Sequence, residues 1–164
     1  MTERAIASRG TIFPHFELLA ADGSPAGLEV YRGRCNLVVV FAGEEPGTGA
    51  TAPLLEELAA RQEELISEMT QVLIVSHVAV ASQIDPETFP FLIDVDAQVH
   101  HRVGAADNAG CPTPAVFVTD RFREIYATYV SSEGSALPGA EEIIDWLRFI
   151  NIQCPECGVS EWPL

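Results

Sequence analysis

Two apolar segments separated by a helical pattern constrain the fold more than any other feature of this sequence. Residues 37–41 are uniformly apolar and rich in β-branched side chains, and residues 71–77 are again mostly apolar. Such runs are typical of strands buried on both faces. Apolar residues recur at helical spacing over residues 51–69, with Thr51 as a predicted N-cap and Pro53 near the first helical position. The order predicts a βαβ unit with a right-handed crossover.

The remaining segments are shorter and extend this unit on both sides. They predict strands over residues 13–19, 91–94, 114–119 and 124–130, and helices over residues 96–103 and 140–150. The strands at 114–119 and 124–130 are separated by a turn and predict a β-hairpin. Together these elements indicate an α/β sandwich in which a central mixed sheet is flanked by helices.

Composition excludes several classes of function. The chain has 164 residues, of which 48% are hydrophobic, enough for one domain with a sizeable core. It carries 24 acidic residues against nine arginines and no lysine, for a net charge of −15. A surface of this kind repels nucleic acid and anionic membranes. With neither a signal peptide nor an apolar run of ~20 residues, the expectation is a cytoplasmic protein with reduced thiols.

The segment between the first long strand and the helix, which we call the elbow (residues 43–51), lacks an obvious nucleophile. It contains no cysteine, serine or histidine, but it does contain two acids, Glu44 and Glu45. A nearby anion such as a thiolate would be disfavoured by these carboxylates. The residues alone therefore predict an elbow without thiol chemistry.

Four segments resemble the peroxiredoxin-type branch of the thioredoxin-like superfamily, that is, the alkyl hydroperoxide reductase and thiol-specific antioxidant proteins. They are residues 13–23, the 31–34 turn with its strand, residues 91–104 and residues 113–120. The resemblance spans about residues 10–150. It implies a thioredoxin-like three-layer sandwich over residues 1–152, followed by a C-terminal tail at residues 153–164.

The resemblance also implies which positions would carry the chemistry of such proteins. Their motif runs proline, three residues, threonine or serine, two residues, cysteine. Here Glu44 takes the place of the proline, Thr48 that of the threonine and Thr51 that of the cysteine, while Pro114 takes that of an arginine. Aligned on the thioredoxin pattern instead, the two cysteine positions fall on Glu45 and Thr48. A threonine hydroxyl has too high a pKa to replace a thiolate, so the elbow is interpreted as a vestigial active site.

Pro114 also matches the position of the cis-proline of the thioredoxin-like superfamily. Such a turn can expose a backbone edge that pairs with an extended peptide, or it can simply preserve the fold. Both interpretations stay open at this point.

Cys154 and Cys157 form a Cys-x-x-Cys motif in the tail. Such a pair can close a disulfide, supply two of the four ligands of a zinc site, or consist of two ordinary free thiols near a chain end. The missing zinc ligands could come from Cys35, from a histidine or from a second chain. Trp162, further along the tail, is a natural docking residue.

Topology separates the tail from the elbow. Cys154 follows the last predicted helix by about four residues, a reach of roughly 13 Å, whereas crossing the domain takes roughly 25–30 Å. Cys35 is therefore predicted to lie nearer to Cys154 than Cys111 does. Cys111 should lie beside the elbow, either as a relocated nucleophile or as a half-buried apolar residue.

The other titratable residues are weaker candidates. His100 and His101 lie on a predicted helix and do not form a ligand set by themselves, and Asp94 with Asp96 is an acid–base pair or, more simply, includes a helix cap at Asp96. His15 and His77 are predicted on strands as core or edge residues. Core positions, not a cofactor site, are predicted at Leu18, Leu37, Phe41, Ile74, Phe117, Ile143 and Leu147.

Two functions are consistent with the sequence. The first is a redoxin-like thiol-disulfide oxidoreductase or antioxidant protein that acts through Cys154 and Cys157, with a thiol or disulfide protein as partner. The alternative is a non-catalytic binding module that could form a homodimer, with a structural or zinc-bound tail. No cofactor is expected other than zinc in that alternative, and neither nucleic acid nor a membrane is an expected partner.

Overall fold

A computed structural model describes residues 7–43, 50–78, 85, 87–131 and 137–153. The strands are β1 (Glu17–Ala20), β2 (Pro25–Gly27), β3 (Asn36–Phe41), β4 (Thr70–Ser76), β5 (Phe91–Ile93), β6 (Ala115–Thr119) and β7 (Ile125–Val130). The helices are α1 (Ala52–Ala60), α2 (Gln62–Ser67), α3 (Gln98–Val103) and α4 (Ala140–Ile152), with a 3₁₀ helix at Glu29–Tyr31.

The seven strands form one mixed sheet in the order β2-β1-β5-β4-β3-β6-β7. β3 is parallel to β4, and β4 to β5, while β6 runs antiparallel to β3 and β7 antiparallel to β6. The predicted βαβ unit and the predicted hairpin are both confirmed. The sheet also confirms the predicted mixed α/β sandwich.

β3 lies between β4 and β6 in the interior of the sheet, and all six of its residues are buried. Its side chains alternate between two cores, as a strand requires. Val38 and Val40 pack with α1 and α4, whereas Val39 and Phe41 pack with Phe13 and α3 on the other face. Burial of each such side chain stabilises the fold by roughly 1.5–3 kcal/mol.

The helix predicted over residues 51–69 is interrupted at Arg61, which separates α1 from α2. Arg61 has φ −111° and ψ 27°, and its N–H donates to Leu58 O at 3.1 Å. Its guanidinium donates to Glu64 at 2.7 and 2.9 Å and also binds Glu141 at the start of α4. The Arg61 side chain, at the junction of α1 and α2, therefore also connects both helices to α4.

The cap predicted at Asp96 is wrong. α3 begins at Gln98, and its N-cap residue is Ala97, with φ 57°. The Asp96 carboxylate lies 3.5 Å from Gln98 N, a long contact. Asp94 instead receives the stronger hydrogen bonds from this helix, as described below.

The C-terminal end of α4 lies beside the N-terminal end of β3. Asn151 Nδ2 donates to Glu68 O at 2.8 Å, and Asn36 Nδ2 donates to Asn151 Oδ1, also at 2.8 Å. These bonds fasten the last turn of α4 beside the start of β3, opposite the elbow, in agreement with the topology predicted from sequence. Within the described ranges, none of the helices combines the length and apolar composition needed to cross a bilayer.

Candidate functional site

Gly43, the first residue of the elbow, lies beside the start of β6, at the C-terminal end of β3. Phe41, the last residue of β3, pairs with Ala115, so Pro114 lies beside the residues that leave the strand. Gly43 has φ 70°, and a Cβ on it would come within 3.1 Å of Pro114 Cδ. Glycine is required here because other residues rarely adopt this φ and the proline ring leaves no space. Residues 44–49, with the predicted positions Glu44, Glu45 and Thr48, lie outside the described residues.

Thr51, at the position of the expected nucleophile, is fully buried at the start of α1. It occupies the predicted N-cap position, but its side chain makes no capping hydrogen bond. Its Oγ1 is buried without a hydrogen-bond partner among the described residues. Nothing in the described part of the chain therefore activates this hydroxyl for nucleophilic attack, which requires an adjacent base.

The peptide bond before Pro114 is trans, since none of the described peptide bonds is cis. The cis conformation implied by the resemblance is therefore not found. The backbone on both sides is already engaged: Thr113 N donates to Ala105 O at 2.9 Å, and Pro114 O accepts from Ser131 N at 2.8 Å. These groups are used within the chain and do not form a free edge for an extended peptide.

Cys35 immediately precedes β3 and is half-buried. It therefore lies at the end of the strand opposite to the elbow. Burial raises the pKa of its thiol, and the charge of Arg34 opposes this effect only in part. A thiol of this kind is a poor nucleophile at neutral pH.

Cys111 lies on the loop that leads to Pro114 and is exposed rather than half-buried. Its backbone N–H donates to Asp107 Oδ1 at 2.9 Å, and its carbonyl accepts from Asp107 N at the same distance. Neither Cys35 nor Cys111 occupies the position of Thr51. Cys154 and Cys157 lie outside the described residues, as does the comparison of their distances to the other two thiols.

The sequence did not reveal the most strongly buried polar pair, Asp94 and His100. Both side chains are fully buried, with His100 Nδ1 2.7 Å from Asp94 Oδ2, and the His100 N–H donates to the same oxygen at 2.9 Å. Burial raises the pKa of Asp94, but the hydrogen bonds from His100 outweigh it and hold the pKa below its usual value. The His100 ring also packs edge-on against Phe41, with centroids 5.0 Å apart.

One signal in the sequence could have located this pair. His100 is three residues before Val103 on α3, so both share the buried face of the helix. A histidine on such a face requires a polar partner, and Asp94 at the end of β5 is the nearest acid in sequence other than Asp96. Because Asp94 is bonded to His100 while Asp96 is exposed, the two acids do not form the acid–base pair considered above.

The other histidines do not join a common site. His15 is exposed 3.9 Å from Glu29, and His77 Nδ1 lies 3.4 Å from Asp94 O. His101 is exposed beside Gly110. Among the described residues, no group of three or more histidine, cysteine, aspartate or glutamate side chains could hold a metal ion.

Several solved structures have the same fold at low sequence identity. AhpC of Mycobacterium bovis is 18% identical, with a TM-score of 0.74 over 96% of this chain and 99% of the other. Peroxidoxin BcpB of Mycobacterium tuberculosis is 23% identical, with a TM-score of 0.72 over 87% and 97% of the two chains. The reduced 2-Cys peroxiredoxin of Plasmodium vivax is 14% identical, with a TM-score of 0.69 over 87% and 81%.

These similarities establish the thioredoxin-like fold, and no curated protein matches the sequence. The AhpC/TSA family model matches residues 10–128, which include β1 to β6, α1 to α3 and most of β7. The chain therefore belongs to the AhpC/TSA family.

Proposed function

We propose that this member of the family is a thiol-disulfide oxidoreductase of antioxidant type in which Cys154 and Cys157, rather than the elbow, carry the redox chemistry. The observation that supports this proposal is Thr51, at the position of the family's nucleophile, whose buried hydroxyl has no hydrogen-bond partner among the described residues. Cys35 is a weaker candidate for the nucleophile because burial raises the pKa of its thiol. The Cys-x-x-Cys pair is the motif in the sequence whose spacing suits reversible disulfide chemistry.

The proposed reaction is a two-step exchange with a protein disulfide. The thiolate of one tail cysteine attacks a sulfur of the partner disulfide, forming a mixed disulfide and releasing one partner thiolate. The second tail cysteine then attacks its neighbour's sulfur in the mixed disulfide. The Cys154–Cys157 bond forms, the second partner thiolate leaves, and two electrons have passed from the tail to the partner.

Charge limits the kind of partner and the strength of the oxidant. Glu156 lies between the two cysteines and disfavours a low thiol pKa, so the pair is proposed to be a weak oxidant. With a net charge of −15, the chain would associate fastest with a partner that presents a basic surface.

The test combines a redox titration with turnover of a protein disulfide, that of insulin, with glutathione as the terminal reductant, on the full chain and four single variants. Cys154→Ser and Cys157→Ser should abolish both the two-electron couple and turnover. Cys35→Ser and Cys111→Ser serve as matched controls and should retain both. Loss of turnover in Cys111→Ser alone would assign the chemistry to Cys111 and overturn the proposal.

The alternative function is a binding module whose tail is structural, and the unreactive Thr51 favours it equally. Thiol counting with and without a chelator, together with zinc analysis, separates the two. Stoichiometric zinc that protects two thiols, combined with no turnover in any variant, would support the binding module. A reversible couple in a zinc-free protein would support the oxidoreductase.

A further inference from the structure

Two turns that touch at the N-terminal end of β3 concentrate positive charge in an otherwise acidic chain. These turns, residues 31–34 and 120–123, hold four of the nine arginines of the sequence, and we call them the arginine turns. Gly33 N donates to Arg121 O at 2.8 Å, and this hydrogen bond holds the two turns together. Because the chain as a whole has a net charge of −15, a local group of cations is a candidate surface for an acidic partner.

Two of the four arginines have no carboxylate partner among the described residues. Arg32 pairs with Glu29 at 3.4 Å, whereas no described carboxylate forms an ion pair with Arg34 or Arg121. The Arg121 guanidinium lies over the Phe122 ring, 5.1 Å from its centroid, and this contact restricts its position. Arg34 is exposed. Both cations can therefore accept a carboxylate from another segment.

The other polar groups of the arginine turns are already engaged. Asp120 Oδ1 accepts the N–H groups of Phe122 and Glu124 at 2.8 and 2.9 Å. Arg123 donates to Phe13 O at 3.3 Å. The Asp120 carboxylate offsets part of the positive charge of the turns, but it does not form an ion pair with either of the two unpaired arginines.

The tail leaves the fold beside the arginine turns. Asn36 Nδ2 donates to Asn151 Oδ1 at 2.8 Å, and Arg34 is two residues before Asn36, at most roughly 7 Å along the chain. Glu156 is five residues beyond Asn151, a reach of roughly 17 Å, and Glu161 has a longer reach. Both carboxylates can therefore reach the arginine turns of their own chain.

The composition of the tail complements these turns. Residues 154–164, which lie outside the described residues, include Glu156 and Glu161 and no basic residue. Because they are tethered beside the turns, their effective concentration there is on the order of millimolar, which favours them over a separate acidic peptide.

We propose that residues 154–164 dock on the arginine turns, with the carboxylates of Glu156 and Glu161 paired with the guanidinium groups of Arg34 and Arg121. Ion pairs between exposed groups are screened by salt, so docking weakens as the ionic strength rises. Docking is independent of the redox function proposed above, because it depends on charged side chains and not on the thiols.

Digestion of the reduced full chain with a glutamyl endopeptidase tests docking, because this protease cuts after glutamate and docking protects both sites. The wild type should be cut after Glu156 and Glu161 at least about fivefold more slowly than the Arg34→Gln/Arg121→Gln double variant, since cleavage follows the undocked population. Raising the salt to about 1 M should remove this difference. A synthetic peptide of residues 153–164 in the same reaction corrects for protease activity, and intact mass spectrometry gives the rates.

Arg102→Gln is the matched control. Arg102 is exposed and, like Arg34, has no ion pair among the described residues. It lies on α3, whose His100 packs against Phe41 at the C-terminal end of β3, so it is remote from the arginine turns. This substitution removes one positive charge and should leave both cleavage rates unchanged.

A second measurement reports on the turns themselves. The double variant Glu156→Gln/Glu161→Gln should shift the amide resonance of Gly33 at low salt and leave that of Arg102 in place. An unchanged Gly33 resonance, or equal cleavage rates in the wild type and the double arginine variant, would overturn the proposal. Protection that Arg102→Gln relieves equally well would overturn it too, and so would protection that grows with protein concentration, since the tail would then bind a second copy. Circular dichroism on each variant separates lost docking from lost structure.

Discussion

Oδ2 of Asp94 accepts two hydrogen bonds from His100, one from Nδ1 at 2.7 Å and one from the backbone N–H at 2.9 Å. The pair joins the end of β5 to the first turn of α3, and the imidazole packs against Phe41 at the end of β3. Through these contacts a single carboxylate holds α3 against the edge of the sheet where the elbow begins.

Replacement of Asp94 by alanine should therefore lower the free energy of unfolding by at least about 2 kcal/mol. The reason is that two buried donors of His100 lose their acceptor, and each costs about 1–3 kcal/mol. Urea denaturation measures the change. Asp96→Ala is the control, since its carboxylate is exposed, and should change stability by less than about 0.5 kcal/mol. Equal losses in the two variants would contradict the importance of the buried pair.

The stability contributed by Asp94 should depend on pH in the acid range. Its pKa in the folded chain is lower than the ordinary value of 3.8, so the contribution is complete above pH 3.8 and is lost as the pH falls through the folded-state pKa. Asp94→Asn lacks this ionisation. Denaturation at a series of pH values should show the difference between wild type and Asp94→Asn shrinking below pH 3.8. A constant difference down to pH 2 would be the contrary result.

The effect of Asp120 on stability should depend on pH in the opposite direction to that of Asp94. Burial raises its pKa, although the N–H groups of Glu124 and Phe122 oppose the rise, so ionisation of this carboxylate works against folding. Asp120→Asn keeps an acceptor for both N–H groups and should stabilise the protein at pH 7, with little effect below pH 3.8. Asp107→Asn is the matched control, because Asp107 also accepts two N–H groups but lies on an exposed loop. Denaturation curves at both pH values provide the measurement, and destabilisation of Asp120→Asn at pH 7 would contradict the prediction.

Thr51→Val should raise the free energy of unfolding by about 1 kcal/mol, because it removes a buried hydroxyl that has no hydrogen-bond partner among the described residues. Thr119→Val provides the comparison. Thr119 is equally buried, but its hydroxyl donates to Asp120 O at 3.0 Å, so the same substitution should cost about 1 kcal/mol. Thermal and urea denaturation test both variants. If both substitutions shifted stability in the same direction, the assignment of Thr51 as unpartnered would be wrong.

Alkylation should distinguish the two described cysteines. Cys111 is exposed, whereas Cys35 is half-buried with a raised pKa, so iodoacetamide should modify Cys111 at least several-fold faster. Peptide mass spectrometry over a time course at pH 7.5 measures the two rates. The rates should converge in denaturant, which serves as the internal control. Faster modification of Cys35 in the folded protein would show that burial does not govern its reactivity.

The elements that were predicted correctly from sequence are those set by local patterns. β3 and β4 follow from apolar runs, and the β6–β7 hairpin follows from two apolar segments around a turn. The interruption at Arg61 was missed because its guanidinium also binds Glu141, 80 residues further along the chain. A contact of that kind leaves no periodic signal.

The candidate site was predictable only in part. The absence of a thiol at Thr51 can be read from the sequence once the family's motif is aligned. The structure adds that the hydroxyl there is buried and makes no hydrogen bond to any residue it describes. The His100 pairing is not evident from the sequence because the position of Asp96 favours that residue as the helix cap, whereas Asp94 is the residue that α3 contacts. The trans bond at Pro114 was missed because the expectation came from related proteins and not from this chain.

The close approach of Gly43 to Pro114 has a consequence for protein engineering. Any side chain at position 43 would need the volume that the pyrrolidine ring already fills, with 3.1 Å between a Cβ and Cδ. The main-chain path out of β3 is therefore fixed by the close contact between these two residues. Anyone grafting a reactive sulfur onto this scaffold can change residues beyond Gly43, but must leave that glycine in place.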